Sequence, residues 1–209
     1  MRLSRLVGVA AVVTACGGGG DGGGGGGTQT QTPVASVTVV PSATTTSICG
    51  NVTLTATPRD AQGNALSRTV DPWAGGGSIL DLSSTAGTTV TATGIGVGTA
   101  NITASSGGQT SVPVAIAVTA GGAAPTTQSV DATTSDTFSP ACVQLAAGGT
   151  VTWNFAGREH NVQFQGTGPT GGNIGNTTTG SVNRTFPNPG NYEYTCTLHA
   201  GMNGRVVVR

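Results

Sequence analysis

From residue 34 onward the chain is written in short runs where apolar residues alternate with Thr and Ser. SVTVV (36–40), VTLTAT (52–57), SILDL (78–82), TTVTAT (88–93), TANITAS (99–105) and SVPVAIAV (111–118) follow one another with turn-forming stretches such as RDAQGN (59–64) between them. A period of two sends alternate side chains to opposite faces of a strand, and β-branched residues fit that pleated surface. Many short strands at regular spacing predict an antiparallel sandwich over residues 34–119. GGAAP closes a short linker, 120–125, and a second set of runs follows. These are TFSPACVQL (137–145), TVTWNF (150–155), HNVQF (160–164), SVNRTF (181–186), NYEYTC (191–196) and GRVVVR (204–209). They predict a second sandwich over 126–209. The fold class is therefore all-β: two antiparallel Greek-key β-sandwiches in tandem.

The first 33 residues have neither pattern. Arg2 and Arg5 precede an apolar stretch from Leu6 to Ala15, the charged-then-apolar order of a secretory signal peptide, 1–15. Its end, Val13-Thr14-Ala15-Cys16, resembles the lipobox of bacterial lipoproteins, which implies cleavage before Cys16 and lipid on that cysteine. Residues 16–33 then form a Gly-rich tether. Such a chain behaves as a random coil of roughly 20–25 Å root-mean-square reach. Gly17 after the cysteine leans towards the outer membrane. The lipid is the expected membrane contact, because no apolar run approaches the ~18 residues of a spanning helix.

Charge narrows the function classes. The chain carries 8 basic and 8 acidic residues in 209, all the basic ones Arg, and only 8% of its residues are charged. With no basic cluster to neutralise phosphates, no nucleic-acid partner is expected.

Composition also separates the two sandwiches. Seven of the eight aromatic residues and both histidines lie in 126–209. Cys196, His199 and Met202 fall together as C-T-L-H-A-G-M, and His160 is the other histidine. Every His and the only Met beyond Met1 thus belong to one candidate site. A thiolate, two imidazoles and a thioether make a soft nitrogen–sulfur set. Two His and one Cys with a weak axial Met is the arrangement of blue-copper sites, whereas a thioether is not a usual zinc ligand. Tyr192 and Tyr194 share strand parity with Cys196, and Trp153 with Val151 and Phe155, so all three are expected in the core.

The residues FSP (138–140), GTVTW (149–153), HNVQF (160–164) and YEYTCTLHAGMNGRVVV (192–208) resemble a cupredoxin of the plastocyanin and amicyanin type. The resemblance implies one copper per chain, with His160, Cys196 and His199 as equatorial ligands and Met202 as the axial one. It also implies that Asn161 ties the ligand loops together. The Gly-rich stretch 166–180 departs from the family in having no acidic patch. SVTVVP, VTLTATPRDAQGN, Trp73 and GVGTANITASSGG resemble a group 2 bacterial Ig-like domain, which implies a spacer. The function implied is single-electron transport in the bacterial cell envelope, by a protein that is not an enzyme and has no small-molecule substrate. Redox partner proteins are expected to dock near His199 on an apolar, nearly uncharged surface, with Pro169 and its neighbours facing the imidazole. Envelope copper storage or delivery is one alternative; a surface interaction protein with structural copper is another. Of the four cysteines, one is assigned to lipid and one to copper. That leaves Cys49 and Cys142, at comparable places in the two sandwiches, as a disulfide between domains or as two separate buried thiols.

Overall fold

The computed structural model describes residues 31–209. The signal peptide, Cys16 and nearly all of the tether lie outside the described residues, whose regular elements are sixteen strands. Nine build the first sandwich: β1 (Ser36–Pro41), β2 (Thr45–Ser47), β3 (Asn51–Arg59), β4 (Trp73–Gly75), β5 (Leu80–Leu82), β6 (Thr89–Gly94), β7 (Gly98–Ser106), β8 (Gln109–Thr110) and β9 (Val114–Thr119). One sheet has the order β1-β3-β6-β5 and the other β2-β9-β7-β4, with β8 beside β7. The alternation read from the sequence sets the inner faces. Val52, Leu54 and Ala56 of β3 meet Ala100, Ile102 and Ala104 of β7 and Ile116 and Val118 of β9 in one buried cluster around Trp73. Each fully buried Val, Leu or Ile contributes about 1.5–3 kcal/mol of transfer free energy. The Trp73 indole N–H donates to Gly87 O at 2.7 Å, so its burial leaves no donor unpaired.

The remaining strands are β10 (Thr127–Ala132), β11 (Phe138–Ser139), β12 (Cys142–Leu145), β13 (Gly149–Phe164), β14 (Ile174–Phe186), β15 (Gly190–Thr195) and β16 (Asn203–Val208). Their order is β11-β10-β13-β15-β16-β12, with β14 against β13. The β10–β13 and β12–β16 pairs are parallel. TVTWNF and HNVQF, separate runs in the sequence, join here as β13. Its first half pairs β10 and β14, while Gln163 and Phe164 pair β15. The register with β14 shifts between Ala156 and His160 and again between His160 and Val162, and Gly157 has φ 90°. Bulges of this kind bend a strand and increase its twist. Here they carry β13 from one set of partners to another, and His160 sits at the bend. Strand β14 begins at Ile174, so the Gly-rich stretch 166–180 is half strand rather than all loop.

The core of this part holds Val130, Val151, Trp153, Phe155, Val162, Phe186, Tyr192, Tyr194, Cys196, Met202, Val206 and Val208. Strand β16 serves both cores: Val206 and Val208 face this one, and Val207 packs in the cluster of the first sandwich. That explains an unbroken Val-Val-Val, since a strand buried on both faces has no polar alternate positions. Beside it, Cys49 and Cys142 form a disulfide. Arg205 Nη2 lies 2.9 Å from Asp81 Oδ2 and 2.5 Å from Glu193 Oε1, linking β16 to β5 and β15. Residues 32–209 form one compact unit.

Candidate metal centre

The loop joining β15 to β16 is closed by the Thr195–Asn203 pair and by Cys196 N–H, which donates to Met202 O at 2.9 Å. Within it Met202 N–H donates to His199 O at 3.3 Å, and Gly201 takes φ 80°. This tight return turns positions 196, 199 and 202 of one short segment towards one end of the sandwich. His160 reaches the same end from the bend in β13. The site is thus assembled from one hairpin connection and one bulged strand.

Three donor atoms converge there. His160 Nδ1 and His199 Nδ1 are 3.1 Å apart, Cys196 Sγ is 3.5 Å from His199 Nδ1, and it is 3.9 Å from His160 Nδ1. A point equidistant from all three lies about 2 Å from each. That is the length of a metal–imidazole bond, and a little under the ~2.3 Å of a metal–thiolate bond. The geometry therefore fits an ion held among the three atoms. His160 and Cys196 are buried, and His199 is partly exposed. Met202 is buried in the same core as Cys196.

Hydrogen bonds fix the donors' states. His160 Nε2 lies 3.0 Å from Thr133 O. A carbonyl only accepts, so Nε2 carries the proton and the Nδ1 lone pair faces the site. Burial first, and then the neighbouring His199, hold the His160 pKa below its ordinary value, which keeps the ring neutral and able to ligate. Asn161 joins the two ligand segments. Its Oδ1 accepts from Thr197 N–H at 2.9 Å, and its Nδ2 donates to Thr197 Oγ1 at 2.8 Å and to Asn176 Oδ1 at 3.0 Å. Its backbone N–H points at Cys196 Sγ from 3.5 Å.

Two expectations about the surroundings need correction. The surface at His199 is not free of charge: Arg158 Nε is 3.3 Å and Asp136 Oδ1 3.5 Å from His199 Nε2. Pro169 does not face the imidazole. It is buried, and the next residue, Thr170, bridges Thr185, whose β13 partner Thr150 lies ten residues before His160. The apolar element that remains at this end is Leu198, 42% exposed, with Ala200 and Gly201 also exposed. Thr133, Asp136, Arg158 and Thr197 are the site neighbours that sequence reading missed. None is a metal-ligand type at a telling spacing. Arg158, two residues before His160, and Thr197, next to Cys196, carried a positional hint.

The chemistry of the donor set selects among metals. A thiolate and two imidazoles, with a thioether in the same core, suit copper better than the oxygen-seeking ions, and better than zinc in its usual ligand sets. Among curated proteins none matches the chain. Similar solved structures include a reduced amicyanin variant, with 30% identity over 40% of this chain and 82% of the amicyanin, at a TM-score of 0.34. Another is an oxidised plastocyanin from Dryopteris crassirhizoma, with 23% identity over 39% of this chain and 99% of that one, at a TM-score of 0.35. Residues 126–209 match the family described as copper binding proteins, plastocyanin/azurin family. This part of the chain is a cupredoxin domain of that family, and it holds one copper per chain.

Proposed function

We propose that the protein is a lipid-anchored, non-enzymatic carrier of single electrons in the bacterial cell envelope. The observation that carries this reading is the asymmetry of the donor triangle: two members are buried, and the third, His199, has a ring that reaches the surface. Bound copper supplies a one-electron couple. The chain's residues hold its surroundings fixed. Thr133 O and Asn161 orient His160 and the Cys196 loop, and Met202 closes the loop with its backbone and would offer its thioether as the fourth donor. With four donors from the protein, no coordination position is left for a substrate, unlike catalytic metal sites. Rigid, buried ligands also disfavour ready release of the ion, which ranks electron transport above copper delivery.

Leu198, Ala200 and Gly201 give a redox partner an apolar approach to His199, flanked by the Arg158–Asp136 pair. A small surface of this kind suits a transient encounter. The disulfide supports an oxidising compartment, and the leader 1–15 ahead of Cys16 supports attachment to its membrane, with the outer membrane favoured. The first sandwich, with its likeness to bacterial Ig-like domains, serves as a spacer that holds the copper domain away from the lipid.

Stopped-flow exchange with a small redox protein tests the reading. The parent protein is expected to exchange electrons rapidly. Ala200→Glu is expected to slow the exchange while leaving the copper spectrum nearly unchanged. Slow exchange in the parent, together with ready transfer of its copper to an acceptor, would replace electron transport by copper handling.

A further inference from the structure

The turn between β10 and β11 touches both histidines. Thr133 O faces His160 Nε2, and three residues on Asp136 faces His199 Nε2. The turn is closed by Asp136 N–H donating to Thr133 O at 3.1 Å and by Thr133 N–H donating to Thr137 O at 2.9 Å. Asp136 sits there at φ 59°, a left-handed conformation that is uncommon outside Gly, Asn and Asp.

We propose that Asp136, braced by Arg158, is a positioning residue for His199: it accepts the ring's outer N–H and so keeps Nδ1 turned towards the copper. Three observations carry this. Asp136 Oδ1 is buried, yet it makes no hydrogen bond of good geometry. Two nitrogens face it, Arg158 Nε at 2.6 Å and His199 Nε2 at 3.5 Å. Finally, His199 Nδ1 is the ring atom that belongs to the donor triangle. When Nδ1 gives its lone pair to a metal, the ring proton must sit on Nε2. Nε2 can then no longer accept from Arg158, whose N–H lies 3.3 Å from it in the structure. Both N–H groups are left with one common acceptor, the orphaned Oδ1. The carboxylate is thereby satisfied and the ring is held in one tautomer, as carboxylate partners of metal-bound histidines generally hold it. The arrangement on His199 parallels the one Thr133 O makes on His160, so a single turn orients both imidazoles.

The unusual φ makes the test clean, because Gly and Asn both tolerate it. Asp136→Gly removes the carboxylate without backbone strain, and Asp136→Asn keeps an acceptor oxygen but no charge. The full chain is loaded with copper, and its affinity is measured by competition with a chelator. Asp136→Gly is expected to weaken copper binding by about 10–100-fold, the usual cost of removing such a partner, and Asp136→Asn by less. In nuclear magnetic resonance of the Cu(I) protein, the His199 Nε2–H signal is expected to exchange slowly with water in the parent and faster in both variants. The second reading stays available through Asp136→Asn if the glycine variant fails to fold. An Asp136→Gly affinity within about twofold of the parent, or an Nε2–H that exchanges equally slowly without the carboxylate, would overturn the proposal. The inference rests on the copper assignment, and the two fail differently: a parent that binds no copper contradicts the assignment, whereas equal binding by parent and variant contradicts only the role of Asp136.

Discussion

Each residue at the copper end is constrained from more than one side. Cys196 ends a strand, closes a loop through Met202 O, and receives the Asn161 N–H. His160 is fixed by a carbonyl behind it. Met202 has the lightest duty: it seals the loop with its backbone and lies buried in the same core as Cys196. An axial thioether tunes potential more than it provides affinity. Met202→Leu is therefore expected to retain copper at one per chain and to raise the reduction potential, because Cu(II) loses a donor it benefits from more than Cu(I) does. Met202→Gln is expected to lower it. Protein-film voltammetry measures both, and loss of copper from the Leu variant would contradict the axial role. The four ligand candidates were legible in the sequence because their chemistry is rare in this chain. Asp136 and Arg158 were not, because they are 22 residues apart and meet only through the bend in β13.

Among the elements, strong alternation was readable and weak alternation was not. VTLTAT became the centre of β3, with Val52, Leu54 and Ala56 buried as its period demands. The strand portion from Ile174 to Gly180 escaped notice because Gly, Asn and Thr there carry almost no apolar signal; β13 alone recruits it. The unity of β13 was hidden by Gly157, which looks like a turn and is in fact the pivot of a bulge. Strand β16 shows what tight packing demands. A Cβ on Gly204 would lie 2.3 Å from Tyr194 Cζ and 2.5 Å from its hydroxyl oxygen. The ring cannot retreat, because Phe138, Trp153 and Phe164 pack around it. Gly204→Ala is expected to cost about 1–3 kcal/mol, the usual penalty for overpacking a core. Chemical denaturation checks it, and a change below about 0.5 kcal/mol would mean that Tyr194 has room to move.

The described residues form two sandwiches fastened together along β12 and β16. The Cys49–Cys142 bridge spans 93 residues. Closing a loop of that size restricts the unfolded chain and contributes about 4–5 kcal/mol in the chain-entropy account. The double substitution Cys49→Ser with Cys142→Ser is expected to lower the denaturation midpoint without altering the visible spectrum, since neither cysteine touches the donor triangle. Spectral change in that variant would show that the first sandwich shapes the copper site. A covalent bond, a shared strand and the Arg205 ion pairs tie the first sandwich to its neighbour.

The central claim is a single copper held by thiolate and imidazoles, and the visible absorption spectrum of the Cu(II)-loaded chain addresses it most directly. An intense thiolate-to-copper band towards the red end of the visible range, at one copper per chain and abolished by Cys196→Ala, is the result expected from the triangle of His160, Cys196 and His199. A colourless Cu(II) protein, or a coloured one whose band survives Cys196→Ala, would contradict it.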